Sequence, residues 1–243
     1  MNPNVNFGQG IPGINDGRRY GIIEWRGMIE NLITALQLLE QKDLLNDSLK
    51  IATQTWLTQY LDWLQHSELG QLAGATKNNH ANWYDFQVLA LAIYLGKLEV
   101  AKHQAAAAKL NRISAQIALD GSQPHELVRT KSLSYCTMNL KAMVLVAALA
   151  QKVEVDLLHF TDKEGRGLLK AAEFLKPIAK KEKKWDYPQI SEGGWQQTVD
   201  QQLLPFLSMM SSIYGQPMLD NQELMKQPLG ALERLKYPPL LYE

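Results

Sequence analysis

Two stretches of the chain, 83–95 and 132–151, are apolar around nearly the whole helical circumference. Such a helix has no face that suits water, so other elements must enclose it. Each is followed by a wetter helix. The stretch 97–117 carries Lys97, Glu99, Lys102, Lys109 and Arg112, which want solvent, while its alanines and leucines make apolar contacts. The stretch 164–180 offers Leu168, Leu169, Ala172, Phe174 and Leu175 as an inward face. An enclosed helix followed by a solvated one, twice over, reads as an all-α array of paired inner and outer helices. The internal repeat is too weak for a named solenoid, so the expected fold is an incomplete α/α toroid.

The remaining segments fit that class. Apolar residues from Ile22 to Lys42 recur at helical spacing. Asn46-Asp47-Ser48 is positioned to cap a second helix running to about His66. A long polar loop is expected between there and residue 83, and Gly96 is expected to close the helix 83–95. Pro177 is expected to end its helix early. A helix over 194–214 and a short one near 220–235 complete the reading, and residues 1–20 read as loop. No alternating run of β-branched residues stands out, so strands are expected to be few.

Composition excludes several classes of function. Lys plus Arg equals Asp plus Glu, 25 against 25, so no global field draws nucleic acid. The run Lys180-Lys181-Glu182-Lys183-Lys184 reads as a solvated helix end. The single cysteine, Cys136, rules out an intrachain disulfide and a cysteine-based zinc site. The five histidines are scattered without ligand spacing, so neither a metal nor another cofactor is implied. No continuous apolar run reaches the ~18 residues of a membrane span; the densest, Ala142 to Ala150, is too short. Residues 1–13 show neither a basic start nor an apolar stretch, so no secretion signal is read there.

The chemistry-bearing residues gather where the two apolar helices begin. The first cluster is Asn78, Asn79, His80, Asn82, Trp83 and Tyr84. The second is His125, Glu126, Arg129, Thr130, Lys131, Ser132, Ser134 and Tyr135. Polar groups at the mouth of a buried helix must find partners or serve a ligand. Each has a plain structural alternative. Asn79 can cap its helix, His80 can be a satisfied buried histidine, and Trp83 can be core. Arg129 can pair with Glu126, and Tyr135 can donate to Asn139. Arg26 can pair with Glu30, four residues on. Together, an Asn-His pair, an arginine and a tyrosine can hold and polarise a carboxylate, which points to an acidic ligand.

The segment Asn78-Asn79-His80-x-x-Trp83-Tyr84-Asp85 resembles the signature of the alginate-lyase superfamily of α/α-toroid polysaccharide lyases. The resemblance continues through Asp120-Gly121-Ser122-Gln123-Pro124-x-Glu126-Leu127-x-Arg129-Thr130-x-Ser132-Leu133-x-Tyr135. It recurs at Gly165-Arg166-Gly167-Leu168, at Trp185-x-Tyr187-Pro188-Gln189-Ile190, and upstream at Ile11-Pro12-Gly13 and Gly21-Ile22-Ile23-Glu24-x-Arg26-Gly27. It implies a single domain over 1–243, shortened at its N-terminal side, acting on alginate or another acidic polyuronide in the periplasm or outside the cell. It also implies catalytic roles for Asn79, His80, Arg129 and Tyr135, with Asn78, Trp83, Tyr84, Arg19 and Arg26 as binding residues. Asn79 and Arg129 would neutralise the uronate carboxylate and Tyr135 would protonate the leaving oxygen. Either Tyr135 or His80 would take the C5 proton. A tyrosine, with a reference pKa of about 10, needs a nearby cation to act as a base, whereas a histidine, at about 6.5, does not.

Overall fold

The structure, a computed structural model, describes residues 4–5, 13 and 21–220. Among them the chain is all-α, as expected: no strand forms, and the only β pairings are isolated bridges, Lys131 with Gln189 and Thr161 with Gly167. Arg19 and the expected helix near 220–235 lie outside the described residues. The chain divides into two compact units, 1–108 with 149–155, and 109–148 with 156–243.

In the first unit a 3-10 turn, Gly21–Trp25, leads into α1, Arg26–Gln41, which buries Ile29, Ile33 and Leu36 on one face. Helix α2, Asp47–His66, starts where the sequence places it, with Asn46 Oδ1 accepting from Leu49 N at 2.9 Å. The expected polar loop after it is partly helical: α3 spans Glu68–Gly74, capped by Ser67 Oγ on Gly70 N. This helix is short and buries only Leu69, Gly70 and Ala73, too few apolar positions to show as a periodic signal. Helix α4, Asn79–Tyr94, is the core of the unit and packs against α1, α2 and α3. Every residue from Ala81 to Ala92 is buried. It ends as expected at Gly96, whose φ of 71° lets Lys97 N reach back to Ala92 O at 2.8 Å. Helix α5, Leu98–Ala108, packs beside α4 and turns Ala101, Ala105 and Ala108 inward.

The second unit opens where that helix loosens into a π turn, Lys109–Ser114. A short α6, Pro124–Leu127, precedes α7, Ser132–Ala150, the second enclosed helix. By length and composition the segment 132–153 could cross a membrane, but 67% of its apolar window is buried inside the protein, the pattern of a core helix. Helix α8, Leu168–Ala179, begins four residues later than expected. Pro177 does not end it at once; the helix runs to Ala179, and the proline's own carbonyl takes Glu182 N and Lys183 N. Then come α9, Gly194–Thr198, a π turn, Val199–Leu203, and α10, Leu204–Tyr214. The basic run after α8 is exposed from Lys181 to Lys184, and Lys181 pairs with Asp200.

Candidate active site

At the mouth of α4 the capping residue is Asn78, not Asn79. Asn78 takes an extended backbone and accepts from His80 N at 3.3 Å. The helix therefore starts four residues before the apolar run, which moves Asn79 into its first turn. Residues 79–82, polar apart from Ala81, gave no apolar period from which that start could be read. Asn79 is fully buried and His80 half-buried. Farther along the helix the polar groups are spent on the fold. Asp85 accepts from Gln104 Nε2 at 2.7 Å. Gln87 accepts from Tyr60 OH at 2.7 Å and donates to Ile22 O at 2.9 Å, so its buried amide is satisfied at both ends.

Trp83 and Tyr84 are enclosed, at 3% and 8% exposure. The Arg26 guanidinium lies 5.4 Å from the centre of the Trp83 ring and donates to Ile23 O at 2.6 Å. Tyr84 packs against Gly74. In this arrangement both rings support the mouth from within, with little surface left for a sugar. The Trp83 indole N–H has no hydrogen-bond partner among the described residues.

At the mouth of α7 the structure joins two residues singled out from sequence. The Arg129 guanidinium stacks on the Tyr135 ring, 3.9 Å from its centre. Such a contact contributes about 0.5–2 kcal/mol and holds the ring flat beneath the cation. Arg129 also lies 3.8 Å from the carboxylate of Glu126, whose side chain is 1% exposed. So the ion pair with Glu126 read from the sequence occurs, and the structure adds the contact with Tyr135, the nearby cation that a tyrosine base would need. The tyrosine is half-buried, and no hydrogen bond engages its hydroxyl among the described residues. Asn139, its suggested partner, donates instead to Gln116 at 3.2 Å and to Gln123 at 2.9 Å. Gln123 in turn donates to Cys136 O. This buried amide network fills the interior behind the first turn and raises no demand on the phenol. Burial, with the charge of Glu126 adding to it, pushes the Cys136 thiol up, so it stays a neutral core group.

A segment that carried only family resemblance in the sequence turns out to build this mouth. The chain at Trp185–Ile190 runs antiparallel to residues 130–132: Ser132 N donates to Pro188 O at 2.9 Å and Ile190 N to Thr130 O at 2.9 Å. The buried Trp185 donates Nε1 to Ser132 Oγ at 2.8 Å, and Ser132 Oγ donates to Pro188 O at 2.6 Å. Gln189 accepts from Leu133 N at 2.9 Å and Ser134 N at 3.4 Å. Farther back, Arg166 is held by Asp162 and donates to Ser114 O at 3.1 Å, closing a carbonyl left open by the π turn. Among the described residues, no group of three or more His, Cys, Asp or Glu is arranged to hold a metal ion.

The sequence profile of the family described as alginate lyase matches residues 1–185. The chain belongs to the alginate lyase family. In three dimensions it is similar to a crystal structure of an alginate lyase from Bacteroides ovatus, with a TM-score of 0.80 and 33% sequence identity. That match covers 88% of this chain and 56% of the other, so the chain spans little more than half of the length of that lyase. The helical toroid expected from the inner and outer helices is thus the fold class of the family. No curated protein matches the chain.

Proposed function

We propose that the chain is a polysaccharide lyase that cleaves alginate or a related 4-linked polyuronide by β-elimination, leaving a 4,5-unsaturated uronate end. Family membership supports the reaction class. The observation that carries the reading is the Tyr135 ring stacked at 3.9 Å under the Arg129 guanidinium, with no hydrogen bond to its hydroxyl among the described residues. A proton donor in a lyase must be unengaged until substrate arrives, and must sit beside a positive charge that can grip a carboxylate.

The resemblance to the family implies the roles. The C5 proton of a uronate is poorly acidic while its carboxylate is charged. Arg129 and Asn79 neutralise that carboxylate and stabilise the enediolate that forms when the proton leaves. Tyr135 donates its proton to the departing O4. In mannuronate the C5 hydrogen and O4 leave from one face, so Tyr135 serves as both base and acid. In guluronate they leave from opposite faces, and His80 is the base. Asn78 and Arg26 support the binding of flanking sugars, as does Arg19 in the N-terminal segment. The family resemblance supports a location in the periplasm or outside the cell.

A hydrolase would need two carboxylic acids facing one bond. Of the candidate carboxylates Asp85, Glu126 and Glu24, Asp85 is bonded to Gln104 and Glu126 is paired with Arg129, which disfavours that reading. The test is absorbance of unsaturated ends on alginate, polymannuronate, polyguluronate and glucuronan. Product from any of them supports the lyase. Binding without product identifies a non-catalytic uronate-binding protein, and saturated ends identify a hydrolase.

A further inference from the structure

Helix α7 begins without a capping residue of its own. Lys131 stands where Ser, Thr, Asp or Asn would ordinarily accept from the first-turn amides. Those amides are nevertheless all taken. Ser132 N goes to Pro188 O, and both Leu133 N and Ser134 N go to a single atom, Gln189 Oε1. The other end of the same carboxamide, Nε2, donates to Ser134 Oγ at 3.1 Å, Ser191 Oγ at 3.1 Å and Thr198 Oγ1 at 3.0 Å. One side chain therefore fastens the first turn of α7 to Ser191, ahead of α9, and to Thr198, the last residue of α9.

We propose that Gln189 is a positioning residue for Tyr135: its carboxamide caps the two amides immediately before the tyrosine and fixes where the phenol hydroxyl points. The proposal rests on the reading of Tyr135 as the proton donor. It is separable from holding the fold together, because other bonds do that. The strap's backbone pairs, Ser132 with Pro188 and Ile190 with Thr130, and the Trp185 bond to Ser132 do not use the Gln189 side chain. On α7 the Gln189 side chain bonds only Leu133 and Ser134, the neighbours of Tyr135 in the turn; its other bonds go to Ser191 and Thr198. A proton donor displaced by about 1 Å loses on the order of a hundredfold in rate, whereas binding by distant groups is untouched.

The experiment compares the full chain with Gln189→Ala and Gln189→Glu. It reads amide hydrogen exchange at residues 133–135 together with kcat and KM on the preferred polyuronide. In Gln189→Ala, exchange at Leu133 and Ser134 should rise about tenfold while the rest of α7 is unchanged. The kcat should fall roughly ten- to a hundredfold with KM within about twofold. Gln189→Glu keeps an acceptor for both amides and should restore their protection and most of kcat. Unchanged exchange at 133–134 in Gln189→Ala overturns the proposal, as does a lower melting temperature with kcat unaltered. If the unmodified chain makes no unsaturated product, the lyase reading fails, and the exchange arm decides the capping role by the same criteria. If Gln189→Ala does not fold, the decision passes to Gln189→Glu. Native protection with near-native kcat supports the proposal; a folded variant that loses protection at 133–134 without loss of kcat overturns it.

Discussion

At the start of α4 the first-turn amide of His80 is met by Asn78, two residues away. At the start of α7 the amides are met by Pro188 and Gln189, 55 to 56 residues downstream. Both helices are enclosed, and both carry polar candidate residues at their mouths. They differ in what fixes those residues. Asn79 and His80 are placed by a cap that travels with them in the sequence. The turn that carries Tyr135 is fastened by a strap that arrives only when the second unit has folded. Changes far along the chain should therefore disturb Tyr135 and leave the α4 mouth intact.

The largest effect expected is on turnover. Tyr135→Phe should lower kcat by about 10²–10⁴-fold and leave the melting temperature unchanged, since its hydroxyl makes no hydrogen bond among the described residues. Asn79→Ala should cost about 10²–10³-fold through loss of carboxylate neutralisation, read in the same absorbance assay. Equal activity in either variant would remove that mouth from the catalytic set.

Next in size is Gly121→Ala, which probes the α7 side through packing alone. Gly121 sits at φ 88°, and a Cβ there would lie 2.2 Å from Lys170 O in α8. Left-handed strain and the clash together should cost about 2–4 kcal/mol, seen as a lower denaturant midpoint. A neutral outcome would mean that the Asp120–Ser122 turn can shift freely.

The comparison itself is sharpened by a matched pair. Trp185→Phe removes the distant donor to Ser132 and should cost about 1–3 kcal/mol. Asn78→Ala removes the local cap of α4 and should cost about 1 kcal/mol. If Asn78→Ala proves the costlier in urea melts, the α7 mouth is less dependent on its strap than the geometry indicates.

The smallest effect concerns pH. The side chain and backbone of Ser122, bonded to Asp120, hold that carboxyl below its ordinary value, and Ser122 N donates to Oδ1 at 2.9 Å. A depressed folded value means that the stabilisation is present above the unfolded pKa and fades as pH falls through the folded one. The melting-temperature gap between the unmodified chain and Asp120→Asn should therefore be present at neutral pH and close in acid. A gap that widens in acid would contradict it.

Much of the fold was legible. The two enclosed helices, the Asn46 cap and the Gly96 stop are local features, each decided by a few neighbouring residues. Less legible was α3, because seven residues with three buried positions leave no periodic trace. The start of α4 was misplaced for a related reason: apolar periodicity marks where a helix is buried, and the first turn of α4 is polar. Among the candidate site residues, the pairing of Arg129 with Glu126 was read from their spacing and is found, whereas the stacking of Arg129 on Tyr135 came from the structure. The part played by Gln189 was not expected, since no propensity scale links a glutamine to a helix that starts over fifty residues earlier.

The sequence by itself determined that the chain is a set of α-helices with two enclosed ones, that a polar cluster opens each of these, and that Asn78 stands ready beside Asn79 and His80. Apolar burial and local capping act within a turn or two, so nearby residues suffice to set them. Only the tertiary structure decided that the Tyr135 hydroxyl makes no hydrogen bond among the described residues, that its ring lies under Arg129, and that Gln189 caps its helix. Those are contacts of fixed direction across long stretches of chain, and they exist only once the loops between have closed.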